Sequence, residues 1–152
     1  LSITATPPGG GPEAIDTVIV TAAEDYGSWA TRRLSSASAA NQLPEADADG
    51  DGQVNLIEYA MGSNPAAWSA GPELIISGGH LALRYPVSRL IDPAVQIIPQ
   101  LSPGLTTWFE GAAFLVDTIT QQTDSIEMHV VQDVNPLGTG GRTYLRLKVV
   151  AP

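Results

Sequence analysis

The chain has no cysteine among its 152 residues. Disulfides, thiol catalysis and cysteine-built zinc sites are therefore excluded. Lysine occurs once, at Lys148, and 16 acidic against 7 basic residues leave a formal net charge of −9. Such a surface is repelled by phosphate backbones, so neither nucleic acid nor an anionic membrane is an expected partner. No apolar run reaches the roughly 18 to 20 residues of a membrane-spanning helix. The sequence also lacks G-x-S-x-G, P-loop and dinucleotide-binding patterns. Two catalytic carboxylates in a cleft are what hydrolysis requires, but Asp92, Glu110, Asp117, Asp124, Glu127 and Asp133 are scattered along strand ends and turns. His80 and His129 have no serine or cysteine motif to work with. The chain is read as non-enzymatic.

What is present is enough apolar material for a core, 43% of residues. A domain of this length buries about 70% of its unfolded surface without staples. Leu1–Thr6 alternates apolar and polar residues, as a half-buried strand does. Pro7-Pro8-Gly9-Gly10-Gly11-Pro12 then forms a linker. Asp16–Ala22 is a second β-prone run. Glu24 and Asp25 suit a helix N-terminus, and Tyr26, Trp29, Ala30 and Arg33 fall on one face of a short helix ending near Leu34. Ser35–Gln42 reads as loop. Leu56–Met61 reads as one or two helical turns, stopped by Gly62 and Asn64-Pro65.

From Glu73 onward the period is two. Glu73–Ser77 and His80–Val87 flank a Gly-Gly turn, and Ala94–Leu101, Ala113–Thr120, Ser125–Asp133 and Arg142–Val150 are further strands. In the last, Leu145, Leu147 and Val149 are assigned inward, Arg146 and Lys148 outward. The fold expected is mainly β: an antiparallel Ig-like β-sandwich preceded by a short helix–calcium loop–helix segment. Its expected parts are residues 1–13 (strand and linker), 14–72 (strand, helix and calcium loop) and 73–152 (sandwich).

Between the two helical stretches lies Asp47-Ala-Asp-Gly-Asp-Gly-Gln-Val-Asn-Leu-Ile-Glu58, which fits D-x-D-x-D-G-x5-E. Calcium takes six to eight oxygens, and this spacing supplies them. Asp47, Asp49 and Asp51 converge from alternate positions, and Gly52 permits the sharp turn. Gln53 is expected to give its main-chain carbonyl, so its side chain should matter little. Val54 is expected to turn inward, Asn55 to coordinate directly or through water, and Glu58 to give both carboxylate oxygens. Magnesium demands tighter octahedral geometry. One loop and two methionines suit a structural clasp rather than a sensor, which pairs loops around a Met-rich groove.

The run from Asp47 through Glu58-Tyr-Ala-Met-Gly-Ser-Asn-Pro65 resembles the DxDGDGxxNxxEYAxGxxP segment found near the C-termini of large secreted proteins of Verrucomicrobia and Planctomycetes. Its calcium half is similar to dockerin and thrombospondin type 3 loops. Tyr26-Gly-Ser-Trp29, Leu105-Thr-Thr-Trp108 and Tyr144-Leu-Arg-Leu147 extend the resemblance over about Tyr26 to Val150. It implies an extracellular or cell-surface accessory module without catalysis. Dockerins carry two such loops and this chain one, so cohesin binding is not implied. Leu1–Pro12 lies outside the pattern.

The function expected is therefore that of an extracellular calcium-binding structural protein. Self-association into a surface layer or filament would use Leu1–Thr6 as a donor strand, or that strand folds back on its own sheet. The alternative is a carbohydrate-binding or surface-attachment module. Trp29 and Trp108-Phe109 are expected to pack, leaving Trp68 as the aromatic open to a glycan or to covering the calcium site. A secreted chain would begin, as this one does, without a leader, its signal peptide removed; a domain excised from a longer protein would look the same.

Overall fold

The computed structural model describes residues 23–139 and 141–151. The expected strands at Leu1–Thr6 and Asp16–Ala22 lie outside the described residues. Two helices precede six strands: α1 (Tyr26–Arg33), α2 (Asn55–Met61), β1 (Glu73–Ser77), β2 (His80–Ser88), β3 (Gln96–Ser102), β4 (Leu115–Gln122), β5 (Ile126–Asp133) and β6 (Tyr144–Val150). The strands form a four-stranded sheet, β1-β2-β5-β4, and a two-stranded sheet, β3-β6, with every pair antiparallel. This is a mixed α/β fold with two small antiparallel sheets and two helices. The six expected β-segments downstream of Glu73 are all present. Among the described residues they do not make the seven-stranded closed arrangement of an Ig-like sandwich.

The hairpin β1–β2 turns at Gly78 and Gly79, whose φ values of 56° and 85° are what a two-residue primed turn requires. It sets Ser77 opposite His80, and Leu74 and Ile76 opposite Leu83 and Leu81. Pro86 lies within β2, yet β1 pairs only as far as Arg84, so the missing N–H falls beyond the end of the ladder on that side. Leu83 and Tyr85 of β2, Val131 of β5 and Leu115 of β4 face Leu101 of β3 across one core, with Leu145 and Leu147 of β6 packed against it. On β6 the alternation is as expected, with Arg146 and Lys148 exposed.

Helix α2 joins this core to the helical layer. Met61 and Ile57 reach the inter-sheet core, while Tyr59 and Ala60 pack with Trp29, Ala30 and Val95 in a second cluster. Tyr26, Trp29 and Tyr59 form an aromatic trio with ring centroids 5.3–5.6 Å apart. The Tyr59 hydroxyl donates to the Glu24 carbonyl and accepts the Asp92 N–H at 2.8 Å, tying the helices to the β2–β3 connection. Asp25 caps α1, accepting the Ser28 N–H at 2.9 Å.

Gly62 ends α2 in the left-handed region at φ 75°, with the Ser63 N–H reaching the Glu58 carbonyl at 2.9 Å. A Cβ at this position would meet Ile126 Cδ1 at 2.8 Å and Ser88 Cβ at 3.3 Å. Gly62→Ala should therefore cost about 1–3 kcal/mol, from backbone strain and a forced shift of Ile126 together. A thermal melt checks it: an unchanged Tm would mean that the α2 terminus yields freely.

Candidate metal centre

The loop Asp47–Glu58 is closed at its base by backbone bonds. The Asn55 N–H donates to the Ala46 carbonyl at 2.7 Å and the Leu56 N–H to the Pro44 carbonyl at 3.0 Å. Inside, carboxylates order the turns. Asp47 accepts the Gly50 and Gly52 amides at 2.8 and 2.9 Å, Asp49 accepts the Asp51 amide at 3.1 Å, and Asp51 accepts the Gln53 amide at 2.8 Å. Gly50 and Gly52 take φ values of 79° and 92°, a backbone that L side chains rarely adopt.

This geometry brings Asp47, Asp49 and Asp51 together, one carboxylate oxygen of each lying within 4.8 Å of the others. Glu58, on α2, is not among the carboxylates within that distance; it is 0% exposed, as is Asn55. One Glu58 oxygen lies 3.4 Å from the Ser63 hydroxyl, and the other, Oε2, is buried with no hydrogen-bond partner. Burial, followed by the negative charges of Asp49, Asp51 and Asp47, pushes the Glu58 carboxyl up to about 7. The Ser69 amide beside Asp51, 2.9 Å from Oδ2, acts in the opposite sense and holds that carboxyl below its usual range.

Buried acceptors without partners gather in this loop: Asp49 Oδ2, Gln53 Oε1, Asn55 Oδ1 and Glu58 Oε2. Each such group costs about 1–3 kcal/mol unless something meets it. A divalent cation ringed by oxygens meets several at once, so the donor set fits a hard cation.

Two residues do more than expected. The Gln53 side chain is not idle: its Nε2 donates to Asp51 Oδ2, the Ser69 carbonyl and the Ser69 hydroxyl, each at 3.1 Å. Gly71 is close enough that a Cβ there would stand 3.2 Å from the Gln53 amide. Asn55 turns its Nδ2 away from the acids, to the carbonyls of Asn41 at 2.8 Å and Leu43 at 2.9 Å. Val54 is half-buried, and the side chains that carry this end into the core are Ile57 and Met61. The residue that sequence reasoning missed is Ser69. Its amide and hydroxyl both reach Asp51, so the 63–72 loop covers the acidic cluster through a serine. Trp68, placed there as a possible cover, is 75% exposed. Trp29 is buried, and Trp108 is half-buried beneath the Arg146 guanidinium, 3.8 Å from its ring centroid.

Outside the loop, His129 stacks on Tyr85 and its Nδ1 lies 3.0 Å from Asp117. His80 Nδ1 meets the Asp133 carbonyl at 2.8 Å. Comparison of the chain with protein-family models, with curated proteins and with solved structures finds no match. The geometry alone defines the class: a domain with an acidic Asp47/Asp49/Asp51 cluster capable of coordinating a divalent ion.

The Glu58 environment gives a pH dependence with a definite sign. Between its ordinary value of 4.5 and about 7, the cation-free folded chain keeps a proton that the unfolded chain has released. Stability falls as pH rises through that window, by up to about 3 kcal/mol. The Asp51 contribution is lost only as pH falls below 3.8, so the windows do not overlap. In chelator, Tm should drop from about pH 5 to about pH 7.5, and Glu58→Gln should flatten the profile. A wild-type Tm that rises over this range and is matched by the variant would refute the assignment.

Proposed function

We propose that this chain is an extracellular structural module in which calcium acts as a clasp between the helical layer and the sheets. The observation that carries the reading is Glu58, fully buried with an unpartnered oxygen and pushed up by that burial and then by three neighbouring aspartates. Asp47, Asp49, Asp51 and Glu58 are the carboxylate ligands, with the Gln53 carbonyl and Asn55 Oδ1 completing the oxygen set. Calcium supplies charge neutralisation and a common partner for these oxygens. The protein's own residues do the rest: Gly50 and Gly52 shape the turn, and Gln53 and Ser69 tie it to the strand that follows.

Calcium is favoured over magnesium because seven oxygens at flexible geometry are on offer. Secretion fits a weak site, since extracellular modules bind at roughly 10⁻⁴–10⁻³ M. Self-association through Leu1–Thr6, completing the Ig-like sandwich with a donated strand, is supported by a sheet whose outer strands have free edges among the described residues. Trp68 supports the second reading, glycan attachment, by its exposure beside the loop. Two measurements separate these. Calorimetric titration should give a calcium isotherm with magnesium at least tenfold weaker; equal affinities would reject the calcium assignment. Electron microscopy of the purified protein should show assemblies, and glycan binding lost on Trp68→Ala, without assembly, would favour attachment instead.

A further inference from the structure

We propose that Ser69 is a positioning residue of the metal centre, dividing the Asp51 carboxylate between the cation and the 63–72 segment. Calcium binding and the closing of that segment over the loop are then one coupled equilibrium. The inference rests on the calcium reading above and names what regulates the same site. Among the described residues, the Asp47 and Asp49 side chains bond only to amides of their own loop, those of Gly50, Gly52 and Asp51. Asp51 alone of the three aspartates reaches outside it, to Ser69, 18 positions further on.

The two Asp51 oxygens are used unequally. Oδ2 accepts three donors: the Ser69 N–H at 2.9 Å, the Ser69 hydroxyl at 3.2 Å and Gln53 Nε2 at 3.1 Å. Oδ1 accepts one, the Gln53 N–H at 2.8 Å. A carboxylate oxygen offers about two lone-pair sites, so Oδ2 is filled and Oδ1 keeps the capacity that a cation needs. Gln53 closes the arrangement, giving Nε2 to the Ser69 carbonyl and hydroxyl, each at 3.1 Å. Gly71 lets the segment lie this close, since a Cβ there would stand 3.2 Å from the Gln53 amide. At the other end of the segment the Ser63 hydroxyl reaches Glu58 Oε1 at 3.4 Å, a longer contact. One short segment thus touches two of the four carboxylates that the calcium reading assigns.

A ligand held by a further hydrogen bond is oriented before the ion arrives, and loss of such a partner typically weakens metal binding 10–100-fold. Freed of Ser69, the Asp51 side chain regains rotamers that it must give up again on binding. The same bond works in reverse. If opening the segment releases Asp51 and weakens calcium about tenfold, saturating calcium makes the opening about tenfold rarer, because the coupling is reciprocal. The segment leads into β1, which begins at Glu73, so the hold of the cation extends from the helical layer to the edge of the larger sheet.

Calorimetric titration with calcium, and hydrogen exchange in chelator and in saturating calcium, test this together. Ser69→Ala should bind calcium about tenfold more weakly than wild type, and Ser69→Thr, which keeps the hydroxyl, should restore the affinity. In the wild-type chain the Ser69 amide should exchange about tenfold more slowly with calcium. The Leu137 amide, bonded to the Gly79 carbonyl at the turn end of the hairpin, should be unchanged. Unchanged calcium affinity in Ser69→Ala, even with a lower Tm in chelator, would make Ser69 a structural residue only and overturn the proposal. A Ser69 amide with one exchange rate in both conditions, or a slowing shared equally by Leu137, would overturn it as well. A wild-type chain that gives no calcium isotherm would instead remove the calcium reading on which the inference rests.

Discussion

Glu58→Gln should make the cation-free protein more stable and abolish its response to calcium. In chelator near pH 7.5, the native Glu58 is largely ionised in a buried position facing Asp49, Asp51 and Asp47. Glutamine removes that charge at nearly constant volume, and the relief is about 1–3 kcal/mol. With calcium the order reverses. A site with Kd of about 10⁻⁴–10⁻³ M gains about 1.4–2.7 kcal/mol at ten to a hundred times Kd, which for a chain of this size is roughly 3–10 °C in Tm. The variant forgoes this gain, because its amide presents one neutral oxygen where the carboxylate presents two. The check is a pair of melts, with chelator and with ~10 mM calcium, on both proteins. If Glu58→Gln still gains Tm with calcium, Glu58 is not a ligand. If it loses stability in chelator, the repulsion argued from its surroundings is not there.

The loop was legible because its pattern is set by chemistry that is local in the chain. A cation needs oxygens at fixed short spacing and a glycine at the turn, and both are written within Asp47–Glu58. Gly62 and the Gly78-Gly79 turn were legible for the same reason: each φ above zero is a local demand that glycine answers. The hairpin register followed from the turn, and the inward set on β6 from period two.

What was not legible depends on contacts between distant segments. Ser69 is an ordinary loop residue in the sequence, and only the fold puts it on Asp51. The short 3-10 helix Ala39–Gln42 has the sequence of a loop, since four residues carry no period. It is held by long-range bonds, with the Tyr26 hydroxyl on the Gln42 carbonyl at 2.9 Å and the Gln42 side chain on the Leu34 and Ala37 carbonyls. Sheet partition was also hidden. Six strand segments were readable, but nothing local says that β3 would pair with β6 and leave four strands in the other sheet. The 4-plus-2 division is what exposes Leu74 and Ile76, two residues that by pattern alone belong to the core.

Asn55→Ala should cost about 1–3 kcal/mol even in chelator. The Asn55 amide donates to the carbonyls of Asn41 and Leu43, at the end of the 3-10 helix, in a fully buried position. Truncation removes the donor to the Asn41 carbonyl and one of the two donors to the Leu43 carbonyl, which keeps the Ala46 N–H at 3.1 Å, and losing such bonds costs about 1–3 kcal/mol in all. A residue that served only as a metal ligand would cost nothing when no metal is bound, so the chelator arm decides the role. Asp49→Ala is the contrast. It loses one 3.1 Å turn bond but also relieves charge near Glu58, so its effect in chelator should be small while its calcium response disappears. Asn55→Asp separates the atoms of the amide. It keeps an oxygen for the cation but sets a carboxylate against two carbonyl oxygens, and should destabilise the chelated protein more than alanine does. Differential scanning calorimetry of the three variants, each with and without calcium, should therefore show Asn55 holding the frame of the loop through Nδ2 besides offering Oδ1, and Asp49 acting as a ligand alone. An Asn55→Ala chain that melts with wild type in chelator would leave Asn55 with the ligand role alone.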